Sequence, residues 1–345
     1  MKTEYKIFST YEDFMTDKAD ICWFSPNEYC SMVVPYLKEK GLDIQMEGEV
    51  NARITLAMSS SVARNAWIHS KLHKTKLILH IWDLPHWRLG NGLSDHIIPL
   101  RHRLLRIPRL FRYYKENRRF YSELYYIIRR ASMVLVPSAS TAESVLAQYG
   151  IRAKEIHYCY DSNRFHIDEE GTSCDNNPPV LLTVSRLVAY KNQGAVIRVA
   201  ARFTPSLQVC IIGKGPERER LENLAQQSGV KCVIHSDVPD AQMPVFYRNA
   251  DVLVCPSRFE GFGVTPLEGL ACGKPAVVSD IPPHCQFIGE MGFHFDPDNE
   301  ETLYWAIVQA LEHKKPRSTD RLRTFTIEAA GERYFELLSQ LIATP

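Results

Sequence analysis

Val252-Leu-Val-Cys-Pro-Ser-Arg-Phe-Glu-Gly-Phe-Gly-Val-Thr-Pro-Leu-Glu268 is the stretch that decides the fold. Its opening apolar run reads as a buried parallel strand, Pro256 and Ser257 end that strand in a loop, and Pro266 through Ala271 read as the first turns of a helix. Gly261 and Gly263 therefore fall at a strand-to-helix junction, where a missing side chain lets backbone amides come close to a ligand. The helix N-terminus beyond them carries partial positive charge, which suits a diphosphate. Carboxylates repel phosphate, so Glu260 and Glu268 are expected to face neutral sugar and ribose hydroxyls, for which an ionised acceptor makes strong hydrogen bonds. Taken alone, the same pair also reads as a surface glutamate followed by a first-turn glutamate stabilised by the helix dipole.

Two earlier junctions repeat the pattern. Val180-Leu-Leu-Thr-Val-Ser-Arg-Leu-Val-Ala-Tyr-Lys-Asn192 reads as a strand whose following loop carries two cations, Arg186 and Lys191, before a helix that starts near Gln193. Val209-Cys-Ile-Ile-Gly-Lys-Gly-Pro216 reads as a further buried strand that runs into a Gly213-x-Gly215 turn and a charged helix from Glu217 to Gln227. In α/β proteins, ligands meet the carboxyl ends of strands, so three such turns in succession point to one binding site.

With these residues in place, the chain resembles the retaining family 4 glycosyltransferases of the GT-B fold, whose E-x7-E motif falls on Glu260 and Glu268. The resemblance is dense from Val180 to Pro297 and includes Ser279-Asp-Ile-Pro-Pro-His284 and Gly292-Phe-His-Phe-Asp-Pro297. It implies an α/β architecture of two Rossmann-like, doubly wound domains facing each other across a cleft. It also implies that Arg186 and Lys191 hold the donor diphosphate, that Glu268 binds the ribose, and that Glu260 binds the transferred sugar. Gly213, Gly215, Gly261, Phe262, Gly263, Val264 and Thr265 would line the donor, with the nucleobase near His235 to Val238.

Length and composition fit two modest cores: 345 residues, 45% apolar. A net charge of +1 gives no global preference for nucleic acid. Nine cysteines without a C-x-x-C pair imply a reducing, cytoplasmic setting, with Cys210 and Cys255 as buried thiols. No apolar run reaches membrane-spanning length, and the polar start Met1 to Lys6 lacks a secretory signature.

The N-terminal half also alternates strand and helix. Strands are predicted over Asp20–Ser25, Leu77–Trp82 and Met133–Ser138, with helices over Tyr29–Lys40 and from a Ser140 cap through Gln148. Asp168, Glu169, Glu170, Gly171, Asn176 and Asn177 break every periodicity, which places a linker between Phe165 and Pro179. The expected organisation is an acceptor domain over 1–170 and a nucleotide-sugar domain over 171–325. The helical spacing of Phe325 to Leu341 closes the chain, and by resemblance the helix over 326–345 crosses back to the first domain.

This half departs from the resembled pattern. Relatives carry a histidine followed by an acidic residue after the strand that matches Leu77 to Trp82, where this chain has Trp82-Asp83. Asp83 becomes the candidate for contact with sugar or attacking hydroxyls. His80 and Trp82 would share one face of the strand, and His80 or His86 could supply an imidazole, although a buried strand histidine is the commoner reading of His80. Ser25-Pro-Asn-Glu28 stands where a glycine-rich loop is usual. A basic ladder follows, in which Arg109, Arg112, Lys115 and Arg119 share a helical face after Pro108, interleaved with aromatics. It reads equally as a surface for anionic lipid or as a solvated helix; nucleic-acid binding is disfavoured.

The chemistry that this set implies is hexose transfer from a nucleotide sugar. Arg186, Lys191 and the Gly263–Val264 turn amides would stabilise the departing diphosphate. No metal or other cofactor is expected, and Asp296-Pro-Asp298 reads as a turn. The resemblance implies retention by front-face attack, GDP-mannose as donor ahead of UDP-hexoses, and a glycan or lipid-linked glycan as acceptor. The competing readings are a noncatalytic GT-B scaffold at the membrane and a phosphorylase or epimerase on the same frame.

Overall fold

The computed structural model describes residues 19–48, 50–82, 122–167, 177–314, 316 and 319–344. Two wholly parallel six-stranded sheets organise them. The first contains β1 (Ala19–Phe24), β2 (Ile44–Met46), β3 (Ala52–Ala57), β4 (Lys76–His80), β5 (Met133–Val136) and β6 (Lys154–Glu155), in the order β2-β1-β3-β4-β5-β6. The second contains β7 (Val180–Val184), β8 (Gln208–Ile212), β9 (Cys232–His235), β10 (Val252–Cys255), β11 (Ala276–Ser279) and β12 (Phe293–Phe295), in the order β12-β11-β10-β7-β8-β9. Both are doubly wound α/β sheets, and most of their central strands are dominated by apolar residues because helices cover both faces.

The second sheet reverses its winding between β7 and β10, which pair directly through Leu181 opposite Val252 and Leu182 opposite Leu253. A reversal of this kind opens a crevice at the strands' carboxyl ends. Arg186 follows β7 and Glu260 follows β10, so the two candidate groups flank that crevice.

Several element boundaries differ from the sequence expectation, for physical reasons. The helix expected over Tyr29–Lys40 divides into a short 3-10 turn, Tyr29–Ser31, and α1 (Val34–Glu39), because Pro35 is tolerated only in a helix's first turn. Helix α4 (Ala139–Tyr149) is capped by Ser138, whose hydroxyl accepts from the Thr141 amide at 3.3 Å, rather than by Ser140; Gly150 ends it in the left-handed conformation. The helix expected from Pro266 begins at Val264. β3, central in the first sheet, and α10 (Glu300–His313) were not anticipated from sequence at all.

Helix α11 (Ile327–Ala343), capped by Thr326, lies against α1 and the first sheet. Tyr36 donates to Glu332 at 2.5 Å, Lys40 pairs with Glu332 at 3.0 Å, and the buried Tyr334 hydroxyl meets His80 Nδ1 at 2.7 Å. Gly331 has no room for a Cβ against the Tyr36 ring. One apolar cluster runs through both halves, from Trp23 and Leu56 through Tyr158 and Tyr334 to Phe262, Leu267 and Phe287. The two sheets thus share a core, and their carboxyl-end loops are held against each other.

Candidate active site

The meeting point of those loops is Gly261. A Cβ there would overlap the carbonyl oxygen of Trp82, which follows β4, so only glycine lets the β10 loop close onto the first sheet's carboxyl edge. The neighbouring Phe259 packs into the first sheet's core with Ile81 and Val136. Glu260, between them, is consequently fixed at the seam.

Across the winding reversal, Lys191 Nζ forms an ion pair with Glu260 Oε1, with the side chains only 11% and 19% exposed. Lys191 comes from a 3-10 turn, Ala189–Lys191, that ends at Asn192 in the left-handed conformation. Burial works against the Glu260 carboxylate, but the charge of Lys191, with a Ser257 hydrogen bond, holds its pKa below the ordinary range. Glu260 is therefore an ionised acceptor at neutral pH.

Arg186 is oriented by a 2.6 Å hydrogen bond to the Tyr190 hydroxyl. The loop that carries it is pinned by Gln193, a buried residue at the start of α5 (Gln193–Ala200), whose amide donates to Ser185 Oγ and the Arg186 carbonyl, both at 2.8 Å. Tyr190 and Gln193 were not picked out from sequence. The signal available was Gln193's place directly after the Lys191–Asn192 loop, where a polar helix-start side chain can reach back to loop backbone.

The glycines of the β8 turn have a different use from the one expected. The faces that Gly213 and Gly215 leave open are filled by the carbonyls of Ser185 and Leu187, so the close approach they permit is to the protein's own β7 loop. Backbone hydrogen bonds from Leu187 to the Lys214 carbonyl at 2.8 Å and from Glu217 to the Leu187 carbonyl at 3.1 Å complete this fastening.

Gly263 is the left-handed residue, φ +87°, from which α8 (Val264–Ala271) starts. No side chain caps that start, which leaves the first amides of the helix facing the crevice end of β7. Thr265 Oγ1 donates to the Val184 carbonyl at 3.4 Å and keeps α8 beside β7. Phe262 is buried against Phe287 and Phe325 and therefore acts through packing. Glu268, one helical turn into α8, accepts from the buried Tyr247 hydroxyl at 2.6 Å. Burial pushes its carboxyl up to about 7, while the Tyr247 bond and Arg164 pull the other way. Val238, in the loop after β9, packs against the shared core.

His284 is a third residue whose role sequence left unread. Fully buried on α9 (Pro282–Phe287), it shares its Nδ1 with Ser279 Oγ at 3.1 Å and the Ser279 carbonyl at 3.0 Å. Its Cδ2 lies 3.1 Å from where a Cβ on Gly263 would sit, so the imidazole backs the turn that opens α8. Burial pushes its pKa down to about 4, keeping it neutral.

On the first sheet, His80 is entirely buried, with its ring centroid 4.6 Å from that of Trp82 and its Nδ1 on Tyr334. This matches the commoner reading of His80, a buried strand histidine, over the acceptor-side imidazole: burial takes its pKa down to about 3. Asp83, His86, Arg109, Arg112 and Lys115 lie outside the described residues. Asp296 and Asp298 form a turn before α10, with the Asp298 amide on Asp296 Oδ1 at 2.9 Å and Asp298 paired to Arg258. None of the described helices is long and apolar enough to cross a membrane.

A crevice at a winding reversal, with Arg186 and Lys191 at one strand end and Glu260, Glu268 and a bare helix start at the other, is the arrangement against which known proteins can be compared. Residues 166–326 match the model of the family described as glycosyl transferases group 1. Among curated relatives, the uncharacterized glycosyltransferase MJ1607 of Methanocaldococcus jannaschii is 32% identical over 38% of this chain and 35% of its own length. The GDP-mannose-dependent alpha-(1-6)-phosphatidylinositol monomannoside mannosyltransferase of Mycolicibacterium smegmatis is 32% identical over 37% of each chain. This chain thus spans little more than a third of either curated relative. Likeness of the whole fold is broader: Anabaena HepE, solved in complex with UDP-glucose, superposes with a TM-score of 0.69 and 16% identity, covering 93% of this chain and 100% of that one.

Proposed function

We propose that this chain is a retaining, metal-independent glycosyltransferase that moves a hexose, with mannose from GDP-mannose the first choice, from a nucleotide sugar to a glycan or lipid-linked glycan in cell-surface polysaccharide assembly. The observation that carries the reading is the buried Lys191–Glu260 pair beside Arg186 and the uncapped start of α8. In that setting Arg186, Lys191 and the first α8 amides take the donor diphosphate, and Glu260 takes hydroxyls of the transferred sugar. Glu268 takes the ribose, with Tyr247 holding its second oxygen.

During transfer the bond from the anomeric carbon to the diphosphate oxygen breaks, and its electron pair leaves with the diphosphate. Lys191 and Arg186 meet that growing charge, so a metal is not needed for it. The acceptor oxygen bonds to the anomeric carbon on the same face, and its proton passes to the departing phosphate oxygen. Asp83 is the candidate to orient the acceptor hydroxyl, and the Arg109, Arg112 and Lys115 ladder to lie on anionic lipid at the cytoplasmic face.

Mannose rests on the GDP-mannose-dependent relative; a UDP-hexose donor is the second reading, favoured by the UDP-glucose complex of the structural neighbour. The test is calorimetry of the purified protein with GDP-mannose, UDP-glucose, UDP-galactose and UDP-N-acetylglucosamine, with and without magnesium. Binding of GDP-mannose alone, unchanged by magnesium and weakened about 100-fold or more by Arg186→Ala, supports the proposal; binding of a UDP-hexose alone moves it to the second reading. Silence across the panel favours a scaffold protein.

A further inference from the structure

At the edge of the second sheet, three chemistry-bearing side chains meet that neither the crevice nor the core uses. Asp280 follows β11, Cys285 lies on α9, and His294 lies on β12, opposite Val278. Cys285 Sγ is 2.9 Å from Asp280 Oδ1, His294 Nδ1 is 3.7 Å from the same oxygen, and all three atoms lie within 4.8 Å of one another. The other ring nitrogen, His294 Nε2, is 2.8 Å from the Gly289 carbonyl oxygen. A carbonyl only accepts, so Nε2 carries the proton and Nδ1 presents a lone pair. That Nδ1 is buried and has no hydrogen-bond partner among the described residues, a state a protein normally avoids.

We infer that Asp280, Cys285 and His294 bind a divalent cation of the zinc type. A carboxylate, a thiol and an imidazole lone pair form a mixed borderline-soft donor set, the kind that selects zinc over magnesium or calcium. The Gly289 carbonyl acts as the outer partner that fixes tautomer and ring orientation in such sites. Metal–donor distances of about 2.0 to 2.3 Å at tetrahedral angles put neighbouring donors roughly 3.3 to 3.6 Å apart. The Asp280–His294 separation is already close to this, and the Cys285–Asp280 pair needs only a small opening, which two exposed side chains can make. Cys285 loses its proton to solvent on binding, so that thiolate and carboxylate together neutralise the dication, and water fills the fourth position from the exposed side. The ion would clip the β11 loop, α9 and the edge strand together. Since α9 also carries His284 behind Gly263, the clip fixes the wall of the donor turn and takes no part in bond breaking.

The experiment is titration of the chelator-stripped full chain with cobalt(II) alone, followed by displacement with zinc. We expect one equivalent to bind with a thiolate-to-cobalt charge-transfer absorption and the intense visible bands of four-coordination. Cys285→Ser should abolish the charge-transfer absorption, Asp280→Asn and His294→Gln should each weaken binding more than about 10-fold, and affinity should rise with pH. Circular dichroism of each variant tests folding, and any one folded variant suffices to decide. Absence of the thiolate absorption in the wild type, its survival in Cys285→Ser, or unchanged affinity in the folded Asp280 and His294 variants would overturn the inference.

Discussion

Replacing Lys191 by Met keeps most of the side-chain bulk and removes the charge with which Glu260 is paired. With the two side chains 11% and 19% exposed, water cannot take over the abandoned carboxylate. At an effective dielectric of about 20, unit charges about 4 Å apart interact by about 4 kcal/mol, and removing one partner of a buried pair costs about 3–5 kcal/mol. We expect Lys191→Met to lose about 3–4 kcal/mol of stability at pH 7, a cost set by the same terms. The dependence on pH fixes the cause. In the wild type Glu260 is held below its ordinary value of 4.5, so its contribution is present above that value and is lost as pH falls through the lower folded value. In Lys191→Met burial outweighs the remaining Ser257 hydrogen bond, so the carboxyl is raised and the variant loses stability as pH rises. The gap between the two proteins should therefore widen from pH 4 to pH 7, and adding Glu260→Gln to Lys191→Met should recover part of it. Urea unfolding of the four proteins of the cycle across that range measures this. A gap flat in pH, or a coupling energy below about 0.5 kcal/mol, would refute the pairing.

Glu268 gives the opposite slope: its carboxyl is raised to about 7 from 4.5, so it costs the fold up to about 3 kcal/mol as pH rises through that window. Glu268→Gln should flatten the stability profile between pH 5 and 8, as read by urea unfolding at each pH. If Glu268 binds the ribose as proposed, donor binding should release a proton near pH 7, which calorimetry in buffers of different ionisation enthalpy detects. Gly261→Ala, which places a Cβ on the Trp82 carbonyl, should displace the Glu260 loop and lower transfer about 100-fold while circular dichroism stays native; near-wild-type kcat/KM would show that the seam tolerates the shift. Tyr334→Phe removes the hydroxyl bonded to His80 Nδ1 and should cost about 1–3 kcal/mol in the same unfolding assay.

The parts of this fold that are legible in the sequence are those whose cause is local. β7, β8 and β10 are dominated by apolar residues because both faces are covered, and each runs into a loop whose glycine, proline or cation marks a junction. β3 is just as central but reads Ala-Arg-Ile-Thr-Leu-Ala, in which Thr55 is buried through a 2.8 Å bond to His69 Nδ1; a hydroxyl satisfied by tertiary contact looks like loop in a linear reading. The Ser138 cap was displaced by two residues because Ser138 and Ser140 carry the same signal, and only the closing geometry selects between them.

Within the site the division is sharper. Glycine at 261, 213 and 215 is a local fact, but what fills the space it leaves is not. The sequence suggests a ligand, whereas the folded chain supplies the carbonyls of Trp82, Ser185 and Leu187. These glycines thereby set which loops can touch, and the binding groups are then placed by that contact. Gly261 seats the β10 loop on β4, Gly213 and Gly215 seat the β8 turn on the β7 loop, and the outcome is that Lys191 and Glu260, remote in sequence, become ion-pair partners. Gly263 is the exception among the four: its left-handed φ is used to start α8, and the space beside it belongs to a neutral, buried His284 rather than to a backbone carbonyl. No side chain caps the start of α8, and no carbonyl among the described residues fills the open face of Gly263 as one does at Gly213 and Gly215, which makes this turn the better candidate for the diphosphate.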